Sequence, residues 1–150
     1  MIIRNESTGT LQGLNSILSE VTANDNVQGI IILAANNAEF VPAGIDPILE
    51  SIAKPLIGGI FTSIIFNDEV LDCGVIVAGL TRELKTVVVP GLSDPGKDFD
   101  YVINNMEDNL VDEKAETMFV LVDGYSKQVS RLLESLFNSF GVNLNFLGGG

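Results

Sequence analysis

Chemistry in this chain has to come from carboxylates, hydroxyls, backbone amides and one thiol. Its 150 residues include no histidine and one cysteine. That removes Ser-His and Cys-His nucleophile pairs and any histidine or multi-thiolate zinc site. No calcium-loop spacing of carboxylates is present either, so neither a metal nor a cofactor is expected and no catalytic residue is assigned. What stands out instead are two glycine groups and one acidic turn. Gly58-Gly59 and Gly148-Gly149-Gly150 each close an apolar run. Consecutive amides at a glycine turn can form a concave nest that holds a carboxylate or phosphate. The same glycines could instead serve only a sharp turn or close packing. Asp123-Gly124-Tyr125-Ser126 also follows an apolar run. There Asp123 could hold an amine or hydroxyl and Tyr125 could form a wall; the alternative is plain turn chemistry with Ser126 as a helix N-cap. Neither glycine group is followed by Gly-Lys-Ser/Thr, which excludes a P-loop, and no dinucleotide fingerprint occurs. Cys73 lies in an apolar strand pattern with nothing to activate it and reads as filler. Arg82 and Lys85 read as solvated charges at a hairpin tip.

Two strand–helix–strand patterns must position these residues. Residues 118–122 are a short β-branched and aromatic run, expected to be a strand buried on both faces. Val129, Leu132, Leu133, Leu136, Phe137 and Phe140 then recur at spacings of three and four, which is a helix with a wide apolar stripe. Gly141 is expected to end it in an αL conformation, and residues 143–147 restart as a strand. The upstream echo is the run 29–33, a loop, a helix opened by Asp46 as N-cap with Pro47 at its first position, and a strand at 55–57 leading into Gly58-Gly59. Both helices contain Leu-Glu-Ser, at 49–51 and 133–135. Each pattern predicts a right-handed crossover between parallel strands.

The rest of the chain fills in around them. Residues 10–21 predict a helix with Leu11, Leu14, Ile17, Leu18 and Val21 on one face and Thr8 or Thr10 as its cap. Runs at 60–66, 69–80 and 85–90 predict an antiparallel meander of two hairpins, with the middle strand central. Phe99, Tyr101, Val102, Ile103, Met106 and Leu110 predict a third amphipathic helix, and the acidic segment 107–116 reads as its solvated end. The fold class expected is α/β: a mixed parallel/antiparallel sheet with crossover helices and a central β-meander. No composition shift marks an internal boundary, so a single domain over 1–150 is expected.

The net charge of −12 argues against nucleic acid and anionic membranes as partners. The chain has no visible signal peptide, and no apolar run approaches a bilayer span. With its single cysteine, this points to a cytoplasmic protein.

Lys54-Pro55-Leu56-Ile57-Gly58-Gly59-Ile60, Asp72-Cys73-Gly74-Val75-Ile76-Val77-Ala78-Gly79-Leu80, Val122-Asp123-Gly124-Tyr125-Ser126 and Phe146-Leu147-Gly148-Gly149-Gly150, in that order, resemble the N-terminal part of the FIST family. The resemblance implies an intracellular sensory domain of signal-transduction proteins that binds a small ligand, such as an amino acid, and is joined to signalling modules. It also implies a C-terminal partner region beyond the final glycines, so this sequence is expected to be a fragment of a longer chain. On that reading the ligand-binding residues are Gly58, Gly59, Asp123, Gly124, Tyr125, Ser126, Gly148 and Gly149. Two other readings stay open: a half-site of an enzyme, with Asp123 or Asp72 as acid or base and its partners in the missing region, and a structural or interaction domain.

Overall fold

The computed structural model describes residues 1–110 and 115–150. The backbone clusters into two compact units, Met1–Thr86 and Val87–Gly150, taken in turn.

The first unit opens with strand β1 (Ile2–Glu6) and helix α1 (Leu11–Thr22). Thr10 is the N-cap of α1 and accepts from the Gly13 amide at 3.1 Å. Leu14, Leu18 and Val21 recur on one side of the helix and are buried against Ile30, Ile32, Val75 and Val77. Burying each of these side chains contributes about 1.5–3 kcal/mol. Strand β2 (Gly29–Ala35), helix α2 (Pro42–Glu50) and strand β3 (Leu56–Phe61) form a parallel crossover, with Ile32 opposite Gly58 and Leu33 opposite Gly59. A hairpin of β4 (Ile64–Phe66) and β5 (Glu69–Leu71) turns through Asn67, whose φ is 54°. Strand β6 (Val75–Leu80) then runs antiparallel between β1 and β2, giving the order β1-β6-β2-β3. Its central place is the one its two-sided apolar pattern predicts. Val75 and Val77 face the main core, and Ile76 packs with Ala35 and Ile64.

Three expectations are corrected here. Helix α2 begins one turn before Asp46: Pro42 takes the first position, where a missing amide costs nothing, and Pro47 lies inside the helix. The run 69–80 is two strands, because Gly74 at φ 107° breaks it and a Cβ there would overlap the Glu6 carbonyl oxygen. The run 85–90 is not a strand. Its valines favour extended backbone, but no neighbouring strand pairs with them, and Val88 is 81% exposed. The meander is therefore one hairpin plus a strand inserted into the main sheet.

The second unit contains helix α3 (Phe99–Leu110), strand β7 (Thr117–Leu121), helix α4 (Val129–Phe140), a 3-10 turn (Gly141–Asn143) and strand β8 (Asn145–Gly149). β7 and β8 are parallel, as a crossover requires, with Val120 opposite Gly148. Phe99 and Ile103 of α3 and Leu132, Leu136 and Phe140 of α4 form the core, and Met118, Val120 and Phe146 pack on it. Contrary to expectation, β7 is covered on one face only: Phe119 and Leu147, on the other, are 40% and 53% exposed. Gly141 does stop α4 with a positive φ, but at ψ −140° it lies outside the αL region. Within the acidic segment, residues 111–114 lie outside the described residues.

Candidate functional site

The second unit gathers most of the residues singled out in the sequence. Asp123, Gly124, Tyr125 and Ser126 connect the carboxyl end of β7 to α4, and the carboxyl end of β8 lies beside them. The Val122 amide donates to the Gly149 carbonyl at 3.1 Å, and a Cβ on Gly124 would sit 3.0 Å from the Gly150 oxygen. In open α/β sheets this end of parallel strands is where ligands bind.

The turn is built by Asp123 itself. Its Oδ1 accepts from the Tyr125 amide at 3.0 Å, its Oδ2 accepts from the Ser126 hydroxyl at 3.3 Å, and its carbonyl accepts from the Ser126 amide at 2.9 Å. A carboxylate offers about four lone pairs, so roughly half its accepting capacity faces solvent. Ser126 is not the N-cap; Gln128 holds that position and makes no side-chain capping bond. The Gln128 side chain is buried: its Nε2 donates to the Asp94 carbonyl, and its Oε1 accepts from Arg131 at 2.6 Å. Those bonds tie the loop before α3 to the start of α4. Tyr125 is 99% exposed.

The glycines are strand residues, not turns. Gly58 and Gly59 sit inside β3 in the first unit, and Gly148 and Gly149 inside β8 in the second. Successive amides of a strand point in opposite directions, so neither pair forms a nest. Their role in the sheet is specific. A Cβ on Gly58 would overlap the Ile32 carbonyl oxygen, and one on Gly148 would overlap that of Val120. Gly148 also has a φ of +149°. The internal echo is thus a matched close approach, at one register position, in two parallel crossovers. The shared Leu-Glu-Ser triplets do not match: one ends α2, the other lies at the middle of α4.

Glu6 was missed in the sequence, although Thr-Gly-Thr two residues on is a signal for a loop entering a helix. Its carboxylate accepts from the Thr8 amide at 2.6 Å, the Gly9 amide at 2.8 Å and the Thr8 hydroxyl. Desolvation pushes its pKa up, but the bonds from the Thr8 side chain and the amides of Thr8, Gly9 and Thr10 outweigh it and hold the carboxyl below its usual range. A negative charge before the first turn of α1 also suits the helix dipole. The Cys73 Sγ contacts the carbonyls of Thr8 at 3.2 Å and Asn37 at 3.5 Å, which fits its reading as filler.

A groove of about 240 Å³ lies between α1 and α2, lined by Asn15, Ser19, Ile48, Ser51 and Lys54 among others. Its polar groups serve the helices. Ser19 and Ser51 donate to Asn15 and Ile48 carbonyls, and Lys54 Nζ donates to the carbonyls of Thr22 at 3.0 Å and Asn24 at 2.9 Å, at the carboxyl end of α1. Among the described residues no helix is long and apolar enough to cross a membrane, and no group of three or more metal-ligating side chains occurs.

A family model described as the FIST N domain matches residues 24–150. Comparisons with curated proteins and with solved structures return no match.

Proposed function

The chain belongs to the FIST N-domain family, a family of sensory domains in signal transduction, and from that premise we propose that it senses a small amino-acid-like ligand at the carboxyl ends of β7 and β8. The observation that carries this is the family match itself, which spans both crossovers and the acidic turn. The geometry of the second unit supports the same place. Asp123 presents an exposed carboxylate with unused lone pairs, suited to a ligand ammonium. Gly148 turns its amide away from β7, since Gly149 faces that strand, and a single outward amide could take the ligand carboxylate. Gly124 and Gly149 keep side chains out of the way, and the exposed Tyr125 ring could close over a bound molecule. Gly58 and Gly59 enter this reading as strand-packing residues of the first unit, a change from the role their sequence suggested.

In this reading the domain is not an enzyme, works in the cytoplasm, and passes its ligand state to signalling modules and a C-terminal partner region. A thermal-shift screen of the amino acids tests it. A ligand at one hundred times its Kd stabilises the native state by about 2.7 kcal/mol, a shift of several degrees. The shift should disappear in Asp123→Asn, which can keep the Oδ1 bond to the Tyr125 amide but loses the charge. No shift with any amino acid, or equal shifts in the variant, would refute the proposal.

A further inference from the structure

β2 and β7 hold equivalent places: each is the first strand of a parallel crossover, and each faces a glycine at the matched register position. The other edge of β2 is taken by β6, which runs antiparallel from Leu80 opposite Gly29 to Val75 opposite Ala34. The other edge of β7 has no partner strand among the described residues. The bonds from the Val122 amide to Gly149 and from the Asn145 amide to Glu116 set the phase of the ladder. Met118, Val120 and Val122 therefore face β8, and Thr117, Phe119 and Leu121 turn their amides and carbonyls outward. Proteins usually block such an edge with charge or proline. Residues Thr117–Leu121 contain neither, and parallel pairs are normally covered on both faces.

We propose that the open edge of β7 docks one extended strand of a partner polypeptide, antiparallel and uncharged, as β6 docks on β2. The occupant's chemistry follows from what the same architecture accepts in the first unit, where β6 is Val-Ile-Val-Ala-Gly-Leu with no charge. Charge matching points the same way. β7 and β8 carry no charged residue in a chain of net charge −12, so a charge in the middle of the docked strand would lose hydration against them without a counter-charge on either strand. Backbone hydrogen bonds would supply affinity, and the exposed Phe119 and Leu147 would select apolar side chains on that face.

Amide hydrogen exchange on the 150-residue chain, with and without a soluble peptide carrying the sequence of Val75–Leu80, tests this. In the free protein the amides of Thr117, Phe119 and Leu121 should exchange much faster than those of Met118, Val120 and Val122. Peptide should slow the first three about tenfold or more, which corresponds to roughly 1.4 kcal/mol. Thr117→Pro removes one outward donor at the start of the strand, a tolerated position, and should weaken the peptide several-fold. Should that variant unfold, Phe119→Asp, which puts a charge on the exposed face, should abolish the protection. The proposal is overturned if peptide protects none of the three amides, if a peptide with alternating charges protects them equally, or if they become protected without peptide as protein concentration rises, which would make a second copy the occupant.

Discussion

Gly58→Ala and Gly148→Ala add one methyl each, at points where the neighbouring parallel strand leaves no room for it. The new Cβ would overlap a backbone carbonyl oxygen, of Ile32 or of Val120, and neither can swing aside as a side chain can. The strands must separate, weakening the two flanking ladder bonds, each worth about 0.5–1.5 kcal/mol net. Against that, alanine stiffens the unfolded chain and returns about 0.4–1 kcal/mol. Gly58→Ala should therefore lower unfolding free energy by about 1–2 kcal/mol. Gly148→Ala also forces alanine to a φ of +149°, which adds about 1–3 kcal/mol of strain. The adjacent glycines are built-in controls. A Cβ on Gly59 meets only the Phe61 ring, at 3.2 Å, and one on Gly149 meets nothing within 4 Å. Urea unfolding followed by circular dichroism should place Gly59→Ala and Gly149→Ala within about 0.5 kcal/mol of wild type, or slightly above it. If Gly58→Ala and Gly148→Ala are as stable as their controls, the close-approach account of both glycine pairs is wrong.

Three further outcomes follow from the hydrogen bonding. Because the folded pKa of Glu6 is depressed, its contribution is present above the unfolded pKa of about 4.3 and is lost as pH falls through the folded value; the urea midpoint of wild type should drop more steeply below pH 4.3 than that of Glu6→Gln. Thr10→Ala removes the cap of α1 and should cost about 1 kcal/mol in the same assay. Gln128→Leu removes the shorter bonds of the Asp94 carbonyl and Arg131, leaving them the Lys97 amide at 3.2 Å and the Pro95 carbonyl at 3.5 Å, and should cost about 1–3 kcal/mol, seen as a lower Tm.

The helices were legible because their apolar residues keep a period that burial enforces. Leu14-Leu18-Val21, Phe99-Ile103 and Leu132-Leu136-Phe140 are the buried sets, and α1, α3 and α4 end within a few residues of where the pattern stops. β6 was legible as a central strand for the same reason. β1 was not, since Ile2–Glu6 is a half-exposed edge with charged residues and little apolar alternation. The valines at 87–89 misled in the opposite sense: propensity offered a strand, and pairing decided against it. Pro42 and Pro47 are both plausible helix starts, and choosing between them depends on packing that spacing does not encode. At the candidate site the sequence located the Asp123 turn and the glycines beside it. It could not show that the glycines lie within strands, because a glycine after an apolar run reads as a stop whether or not the ladder continues.

The proposed ligand meets the loop after β7. The most direct measurement is a nitrogen–proton correlation spectrum of the labelled protein, titrated with the amino acid that shifts its Tm most. Amides of Gly124, Tyr125, Gly148 and Gly149 should move together along one binding curve, and Asp123→Asn should leave them still. Shifts gathered instead around Asn15, Ser19, Ser51 and Lys54, or none at saturating ligand, would contradict it.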